Sequence, residues 1–180
     1  MKKYLLVLMA AAALTAQGQQ QRISNKPSYC DPALSSLRFT DAQSASVNMN
    51  RLAIGSPVNM EFTLSNNDAL NAVPQGTCQV KITLGSKFRL ATDLTSLNLP
   101  LREYINWSMA PAPRGTQQII TGELYRDLPP RFSGQVRFSL MPFMEGGSTT
   151  TCQVLVSNHN NDRIILSDLA PGNNYVSACL

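Results

Sequence analysis

The sequence predicts an all-β protein, built as a β-sandwich of about eight or nine antiparallel strands. Three observations carry this prediction. Apolar and polar residues alternate over many short runs, turn-forming residues separate those runs at intervals of roughly 8–14 residues, and no amphipathic helical pattern follows the first eighteen residues. Because successive side chains of a strand point to opposite faces, this alternation marks strands with one face in a core.

Residues 1–18 have the layout of a secretory signal peptide. Lys2 and Lys3 give a basic start, an apolar run extends from Tyr4 to Leu14, and small residues precede a cleavage site that we place after Gly18. The alternative is a short buried N-terminal helix. The apolar run is too short to span a bilayer in the mature chain, and no second long run follows. We therefore expect a chain without a transmembrane segment that is secreted, or located at the cell surface or in the periplasm.

The remaining chain of about 162 residues is long enough for one domain with a sizeable core. Residues 19–37 are expected to form a polar N-terminal segment, because their first half is rich in Gln, Asn and Ser. Residues 38–180 are expected to form the single sandwich domain.

The clearest predicted strand lies within Gly55–Ala69. Val58, Met60, Phe62 and Leu64 alternate there with polar residues, between two turns. We predict the other strands at 47–54, 78–84, 105–109, 118–124, 136–140, 152–156, 164–166 and 175–180. Residues 90–102 fit either a pair of strands or a short helical crossover.

The charge pattern argues against nucleic-acid binding. Removal of Lys2 and Lys3 lowers the formal net charge from +4 to +2, and the remaining basic residues are scattered singly. Binding to nucleic acid needs a dense basic surface that displaces counterions.

Four cysteines in an exported chain suggest two disulfides, for which three pairings exist. We favour Cys78–Cys152 and Cys30–Cys179, because the first two each open a strand and the last two lie near the ends of the mature chain. Four buried free thiols are the alternative. The spacing does not fit a zinc knuckle.

Catalytic residues are scarce. His159 is the single histidine and lies in a polar stretch, and no Gly-x-Ser-x-Gly motif is present, so a Ser–His–Asp triad is not expected. Glu61, Glu103, Glu123 and Glu145 are glycosidase candidates only because they are carboxylates. We expect no enzymatic activity and no cofactor.

A calcium loop is one hypothesis for the polar segment around His159. Asn158, Asn160 and Asp162 alternate, and Asp168 follows six residues later, which gives oxygen ligands of the kind that Ca²⁺ binds. The stretch lacks the glycine and the number of carboxylates of an EF-hand loop, and a polar hairpin turn is the alternative.

Three pieces of the chain form a recognisable series: the strand motif of Gly55–Asn67, then Trp107, Gly122–Leu124 and Leu128–Leu140, and the closing motif of Ser167–Ala178. In this order they resemble the immunoglobulin-like conserved repeat of bacterial and archaeal cell-surface proteins, a domain of unknown function. The resemblance implies an immunoglobulin-like sandwich and a surface spacer or adhesive module, with no catalytic residue. Members often occur in tandem arrays, and the four cysteines are not part of the pattern.

The expected function is thus a structural or adhesive module, with a protein or surface glycan as partner through strand edges or loops. A carbohydrate-binding or adhesin-subunit sandwich is the first alternative, with Tyr104 and Tyr125 as candidate ligand contacts. Trp107 shares a face with apolar neighbours and is expected in the core. A small secreted hydrolase is the second alternative.

Overall fold

We describe the fold from a computed structural model, which describes residues 27–47, 52–91, 93–95, 99–113, 115–143, 151–158 and 165–179. Within these residues the protein is all-β, as the sequence predicts. The strands are β1 (Pro27–Cys30), β2 (Pro32–Thr40), β3 (Val58–Asn66), β4 (Cys78–Leu84), β5 (Phe88–Leu90), β6 (Ile105–Met109), β7 (Gln118–Leu124), β8 (Ser133–Pro142), β9 (Thr151–Asn158), β10 (Ile165–Asp168) and β11 (Tyr175–Cys179). A 3₁₀ turn covers Pro171–Asn173.

Two antiparallel sheets form the body of the described structure. One has four strands in the order β2-β3-β8-β5, and the other has five in the order β11-β9-β4-β7-β6. β1 and β10 form a separate parallel pair. The chain passes from the four-stranded to the five-stranded sheet three times, between β3 and β4, between β5 and β6, and between β8 and β9. These described strands therefore form a sandwich with crossing connections.

The hydrophobic core lies between the sheets and takes alternate side chains from both. In β3, the apolar residues Val58, Met60, Phe62 and Leu64 are all buried, which confirms the predicted core face of this strand. Burial of such side chains contributes roughly 1.5–3 kcal/mol each relative to full exposure.

Trp107 of β6 belongs to this core, as predicted. Its ring stands edge-on to Phe138 of β8 across the sandwich, with 5.0 Å between ring centroids and an interplanar angle of 90°. The indole N–H donates a hydrogen bond of 2.7 Å to the carbonyl of Pro100, so the buried polar atom is satisfied. Trp107 faces Gly122 on β7, which leaves room for the indole because glycine has no side chain.

The fold begins earlier than the sequence predicts. β1 and β2 lie largely within residues 19–37, and β2 buries Ala33 and Leu34 while pairing with β3. A bulge shifts the register of β2 between Ser35 and Arg38, which interrupts the alternation that would have revealed the strand.

Two further segments differ from the predicted strands. Within 47–54, residues 48–51 lie outside the described structure, and residues 52–57 form a turn and loop in which Ile54 is exposed. The segment 90–102 was predicted as a pair of strands or a short helical crossover. In the structure Leu90 ends β5, and the residues from Pro100 to Tyr104 form turns ahead of β6. The described strands number eleven rather than eight or nine, because β1, β2 and β5 are short or irregular in sequence.

Alanine at position 122 tests the contact between β6 and β7. The added methyl carbon would lie 2.6 Å from Cζ3 of Trp107 and 2.7 Å from Cγ2 of Ile105. We expect Gly122→Ala to lower the free energy of unfolding by about 1–3 kcal/mol, because the core must shift to accept it. Gly172→Ala is the control, since nothing lies within 4 Å of its added methyl. Equal stability of the two variants in urea denaturation would contradict the described packing.

Candidate functional site

The outer face of the four-stranded sheet carries closely spaced polar side chains. Strand register places Arg38, Glu61 and Arg137 in one row across β2, β3 and β8, and Thr63 lies between Ser35 and Gln135 in the next row. We call this surface the polar face. Its members are Ser35, Arg38, Thr40, Glu61, Thr63, Ser65, Ser133, Gln135 and Arg137.

Glu61 is the buried centre of the polar face. One carboxylate oxygen accepts from Nε of Arg38 at 2.8 Å and from Nε2 of Gln135 at 3.2 Å. The other oxygen accepts from the Thr40 hydroxyl at 3.0 Å and lies 3.1 Å from Nε of Arg137. The side chain of Glu61 is only 3% exposed because these flanking groups cover it. Its charge is therefore compensated, and both arginines are held in fixed positions.

A depression of about 400 Å³ lies beside this cluster on the polar face. Its lining is mostly uncharged and hydrogen-bonding, with four hydroxyls, two carboxamides, one guanidinium and one aromatic ring. The lining residues are Ser35, Thr63, Ser65, Asn66, Asn67, Arg131, Phe132 and Ser133. Within the described ranges the guanidinium of Arg131 forms no ion pair, so it remains available to a ligand.

Asn66 holds the depression together. This residue is fully buried at the end of β3, and its Nδ2 donates to the carbonyls of Asn71 at 2.9 Å and Pro129 at 3.0 Å. Its Oδ1 accepts from the backbone N–H of Asp68 at 3.2 Å. A single carboxamide thereby fixes the loop after β3 against the turn before β8.

Two residues with positive φ flank the depression. Ser36, in the bulge of β2, has φ of 62°, and Arg131 has φ of 57°. The left-handed region costs energy for residues other than glycine and persists only where the surroundings impose it. At Arg131 the surroundings include a hydrogen bond of 2.9 Å from its backbone N–H to the carbonyl of Asp68.

Neither of the two predicted ligand tyrosines lines the depression. Tyr104 is half-buried, and its ring meets Phe132 edge-on at 5.0 Å, so it supports a lining residue from behind. Tyr125 is partly exposed, and its hydroxyl donates to the carbonyl of Arg102 while Arg126 lies 5.7 Å from its ring. The structure brings the backbones of the two tyrosines together through a 3.0 Å hydrogen bond.

The other candidate residues give no converging site in the described structure. His159, Asn160, Asp162 and Glu145 lie outside the described residues, so the calcium loop stays a hypothesis. Asp168 accepts hydrogen bonds from the N–H of Ala170 and from Nδ2 of Asn174. In the ranges the structure describes, no three His, Cys, Asp or Glu side chains are placed to hold a metal ion. Those ranges also contain no helix long and apolar enough to cross a bilayer.

The structure is incompatible with the favoured pairing of Cys78 with Cys152. Both lie on neighbouring strands, but Cys78 faces Asn158, which is six residues along β9 from Cys152. At about 3.3 Å per residue this is roughly 20 Å. A disulfide needs Cα atoms about 4–7 Å apart. Both residues are buried free thiols.

The pairing of Cys30 with Cys179 is also incompatible with the strand positions. Cys30 pairs with Asp168, whose side chain accepts a hydrogen bond from Asn174 just before β11. Cys179 lies at the far end of β11, opposite Thr151. The two predicted pairings used only the positions of the cysteines along the chain. The strand register separates the cysteines of each predicted pair.

Sequence reasoning missed the residues that shape the depression. Asn66 and Asn67 belonged to a predicted turn after β3, and Arg131 follows the Pro129-Pro130 turn. The register that pairs Ser65 with Ser133 brings these turns together. No local pattern reveals that register, although the two turn motifs were visible.

Comparisons with known proteins give no family assignment. No protein-family model matches the chain, and no curated protein matches it. Matching solved structures include a family GH18 chitinase from Chromobacterium violaceum, at 10% sequence identity and a TM-score of 0.32. That match covers 71% of this chain and 18% of the chitinase.

Removal of the Glu61 carboxylate tests the central cluster of the polar face. We expect Glu61→Ala to lower the free energy of unfolding by about 1–3 kcal/mol, because Arg38, Arg137 and Thr40 lose their shared acceptor. Glu123→Ala is the control, since Glu123 is exposed and its hydrogen bond from Gln79 is 3.4 Å long. We expect a change within about 0.5 kcal/mol for the control. Similar losses in both variants would show that Glu61 has no special role.

Proposed function

We propose that this chain is a non-enzymatic β-sandwich module of the immunoglobulin-like kind, exported from a bacterial cell, that serves as a structural or adhesive element through its polar face. The depression beside Glu61 carries the proposal. Its lining contains hydroxyl, carboxamide and guanidinium groups, which bind by hydrogen bonds, and contains no carboxylate, imidazole or thiol. Such a lining suits recognition better than acid–base or nucleophilic chemistry.

The strand order supports the immunoglobulin-like part of the proposal. In immunoglobulin domains, strands A, B, E and D form one sheet, and strands G, F and C form the other. The order β2-β3-β8-β5 corresponds to the first sheet, and β11-β9-β4 corresponds to the second. β7 and β6 extend the second sheet as C′ and C″ do in variable domains. There are two departures: β5 precedes β6 and β7 in the chain although it occupies the position of strand D, and β6, in the place of C″, precedes β7, in the place of C′.

The environment of Glu61 supports a binding role over hydrolysis. A glycosidase needs one carboxylate that can donate a proton and a second that faces it across a cleft. Glu61 instead accepts from or pairs with four neighbouring side chains. These contacts occupy both of its oxygens, and no second carboxylate is among the lining residues of the depression.

A substitution on the polar face tests adhesion. Thr63→Arg places a long charged side chain in the depression and should reduce retention of protein-coated beads on envelope fragments of the producing bacterium by about tenfold. Thr83→Arg is the matched control, because Thr83 is a half-buried threonine on the outer face of the other sheet. Retention is measured by counting beads under flow. Equal retention of both variants, at unchanged stability, would exclude the polar face as the contact surface.

Carbohydrate binding is the second candidate function, and Arg131 favours it. Four hydroxyls and the carboxamide of Asn67 match the hydrogen-bonding groups of a sugar, while the guanidinium of Arg131, which forms no ion pair among the described residues, matches a carboxylate. Arg38 and Arg137 carry two positive charges, and Glu61 neutralises one of them. The polar face therefore keeps a net positive charge. The chemistry therefore fits an acidic sugar, such as a uronate, better than a neutral one.

Binding to a glycan array with neutral and uronate oligosaccharides tests this candidate. We expect the wild-type chain to prefer the uronates and Arg131→Ala to lose about tenfold or more in affinity, because a charge-assisted hydrogen bond contributes roughly 1.5–3 kcal/mol. Arg126→Ala is the control, since Arg126 is an exposed arginine outside the depression. Equal binding of neutral and acidic sugars, or equal losses in both variants, would contradict the role of Arg131.

A further inference from the structure

We propose that Asp31, Asp168, Asn173 and Asn174 bind a calcium ion where β1, β10 and the turn before β11 meet. We call these four residues the Asp–Asn cluster. It shares Asp168 with the calcium loop hypothesised from the sequence and takes its other ligands from different parts of the chain. Amide oxygens take the place of the third acidic, thiol or imidazole ligand that the described ranges do not supply.

The fold brings the two aspartates of the cluster to the same end of the parallel strand pair. Cys30 and Asp168 are the last residues of β1 and β10 and lie opposite one another, and Asp31 directly follows Cys30. The backbone N–H of Leu169 donates to the carbonyl of Cys30 at 3.0 Å, which extends the pairing beyond β10. Two carboxylates that are far apart in sequence therefore occupy neighbouring positions.

The 3₁₀ turn before β11 brings the two asparagines onto these aspartates. Nδ2 of Asn173 donates to Oδ1 of Asp31 at 2.8 Å, and Nδ2 of Asn174 donates to Oδ2 of Asp168. The other oxygen of Asp168 accepts from the backbone N–H of Ala170 at 2.9 Å. Because Asn173 and Asn174 are consecutive, these contacts join all four side chains in one cluster.

The amide oxygens of Asn173 and Asn174 are the observation that indicates a cation. Asn174 is only 7% exposed, and in the described structure the Oδ1 atoms of both residues are buried without a hydrogen-bond partner. Such atoms are rare in folded proteins, because an unpaired buried acceptor has lost its hydrogen bonds to water. Each Oδ1 is attached to the same carbon as the Nδ2 that contacts a carboxylate, so both oxygens lie beside the aspartates. The cluster thus has more acceptors than donors, and a cation satisfies the excess.

The cluster also carries uncompensated negative charge. Within the described ranges, no ion pair includes Asp31 or Asp168. Burial raises the pKa of the adjacent Cys30 thiol to about 12, and the charges of nearby aspartates, Asp168 first among them, add to this effect. A divalent cation balances the charges of both aspartates.

The donor atoms of the cluster favour calcium over other divalent cations. Ca²⁺ takes about six to eight oxygen ligands in a flexible arrangement, among them carboxylates, amide carbonyls and water. Mg²⁺ requires a nearly ideal octahedron and dehydrates reluctantly, and Zn²⁺ is bound mostly by nitrogen and sulfur. When calcium binds, each asparagine amide turns over, so that its oxygen instead of its nitrogen faces the ion beside the carboxylate. Asp31, Asp168 and Asn173 are half-buried, so water completes the coordination.

Calcium at this position stabilises the end of the sandwich that holds the depression. The backbone N–H of Asp31 donates to Oδ1 of Asn66 at 3.4 Å, and its carbonyl accepts from the N–H of Asn67 at 2.8 Å. Both asparagines line the depression. A cation bound by the Asp31 side chain therefore fixes a segment that supports the lining, in addition to joining β10 to β11.

Calorimetric titration of the purified chain with calcium chloride tests the proposal. After treatment with EDTA and its removal, we expect one calcium ion per chain with a Kd of about 10⁻⁴–10⁻³ M, the range of extracellular calcium modules. Calcium at about 10 mM should raise the Tm by roughly 3–10 °C, because it binds the folded chain and not the unfolded one. Magnesium chloride at the same concentration should give a smaller shift.

Substitution of the two aspartates locates the ion. Asp31→Asn and Asp168→Asn should each weaken calcium binding by about tenfold or more, because each removes one of the two charged ligands. Asp127→Asn is the matched control and should leave the Kd unchanged. Asp127 is exposed and, like Asp168, accepts a hydrogen bond from a backbone N–H.

Asn174→Asp distinguishes a ligand from a residue that only holds the turn. The change replaces the unpaired amide oxygen by a carboxylate, so calcium should bind about tenfold more tightly. The Tm in EDTA should fall, because a third negative charge joins the cluster. A lower Tm without any gain in calcium affinity would contradict the role of Asn174 as a ligand.

Four results would overturn the proposal. Absence of calcium binding by the wild type would leave water as the partner of the buried amide oxygens. Equal Tm shifts in calcium and magnesium, or equal losses in Asp31→Asn and Asp127→Asn, would exclude a specific calcium site in the cluster. Loss of binding in Asp162→Asn with full binding by Asp31→Asn would place the ion in the segment around His159 instead. If Asp168→Asn fails to fold, the wild type and Asp31→Asn decide.

The export proposal fails separately. Occupancy by calcium in the organism depends on export, because the expected affinity suits extracellular calcium. Export predicts that cells produce a mature chain that begins at Gln19, after cleavage following Gly18. A full-length chain kept in the cytoplasm would contradict export and leave the calorimetric result unaffected.

Discussion

The buried carboxamide of Asn66 is the interaction on which the shape of the polar face depends. A buried amide must find partners for its polar atoms, and Asn66 finds them in three segments of backbone: the loop after β3, the turn before β8, and Asp31 between β1 and β2. Its backbone N–H also donates to the carbonyl of Phe132 at 3.0 Å. Because these segments are distant in sequence, the requirement of one side chain for hydrogen bonds positions two loops and the start of β8 at once. The depression lies where those segments meet.

Charge compensation explains how a polar surface lies on a sheet without weakening it. Glu61 occupies a central strand, where a single desolvated carboxylate would be costly. Arg38 and Arg137 flank it in register and remain partly exposed, so their guanidiniums reach both the carboxylate and the solvent. The same arrangement leaves a positively charged and rigid surface. Rigid hydrogen-bonding groups lose little conformational entropy on binding, which favours recognition of a polar partner.

Local pattern predicted most of the sandwich but little of the candidate site. Strands with strict alternation, such as β3 and β4, follow from the sequence alone because one face of each is buried in the core. β2 escaped prediction because its bulge breaks that alternation. The site escaped because it depends on strand register, which pairs Ser65 with Ser133, and on the hydrogen bonds of Asn66. Both arise from tertiary structure, and the cysteine pairings failed for the same reason.

The bulge of β2 has a consequence for how copies of the chain coexist at high density. β2 is an edge strand of the four-stranded sheet, and edge strands expose unpaired backbone groups to which a foreign strand can attach. The register shift between Ser35 and Arg38 and the left-handed Ser36 interrupt that row of groups. An approaching strand finds only short stretches to bond on either side of the kink. Crowded molecules therefore have no continuous template along this edge for fibril growth.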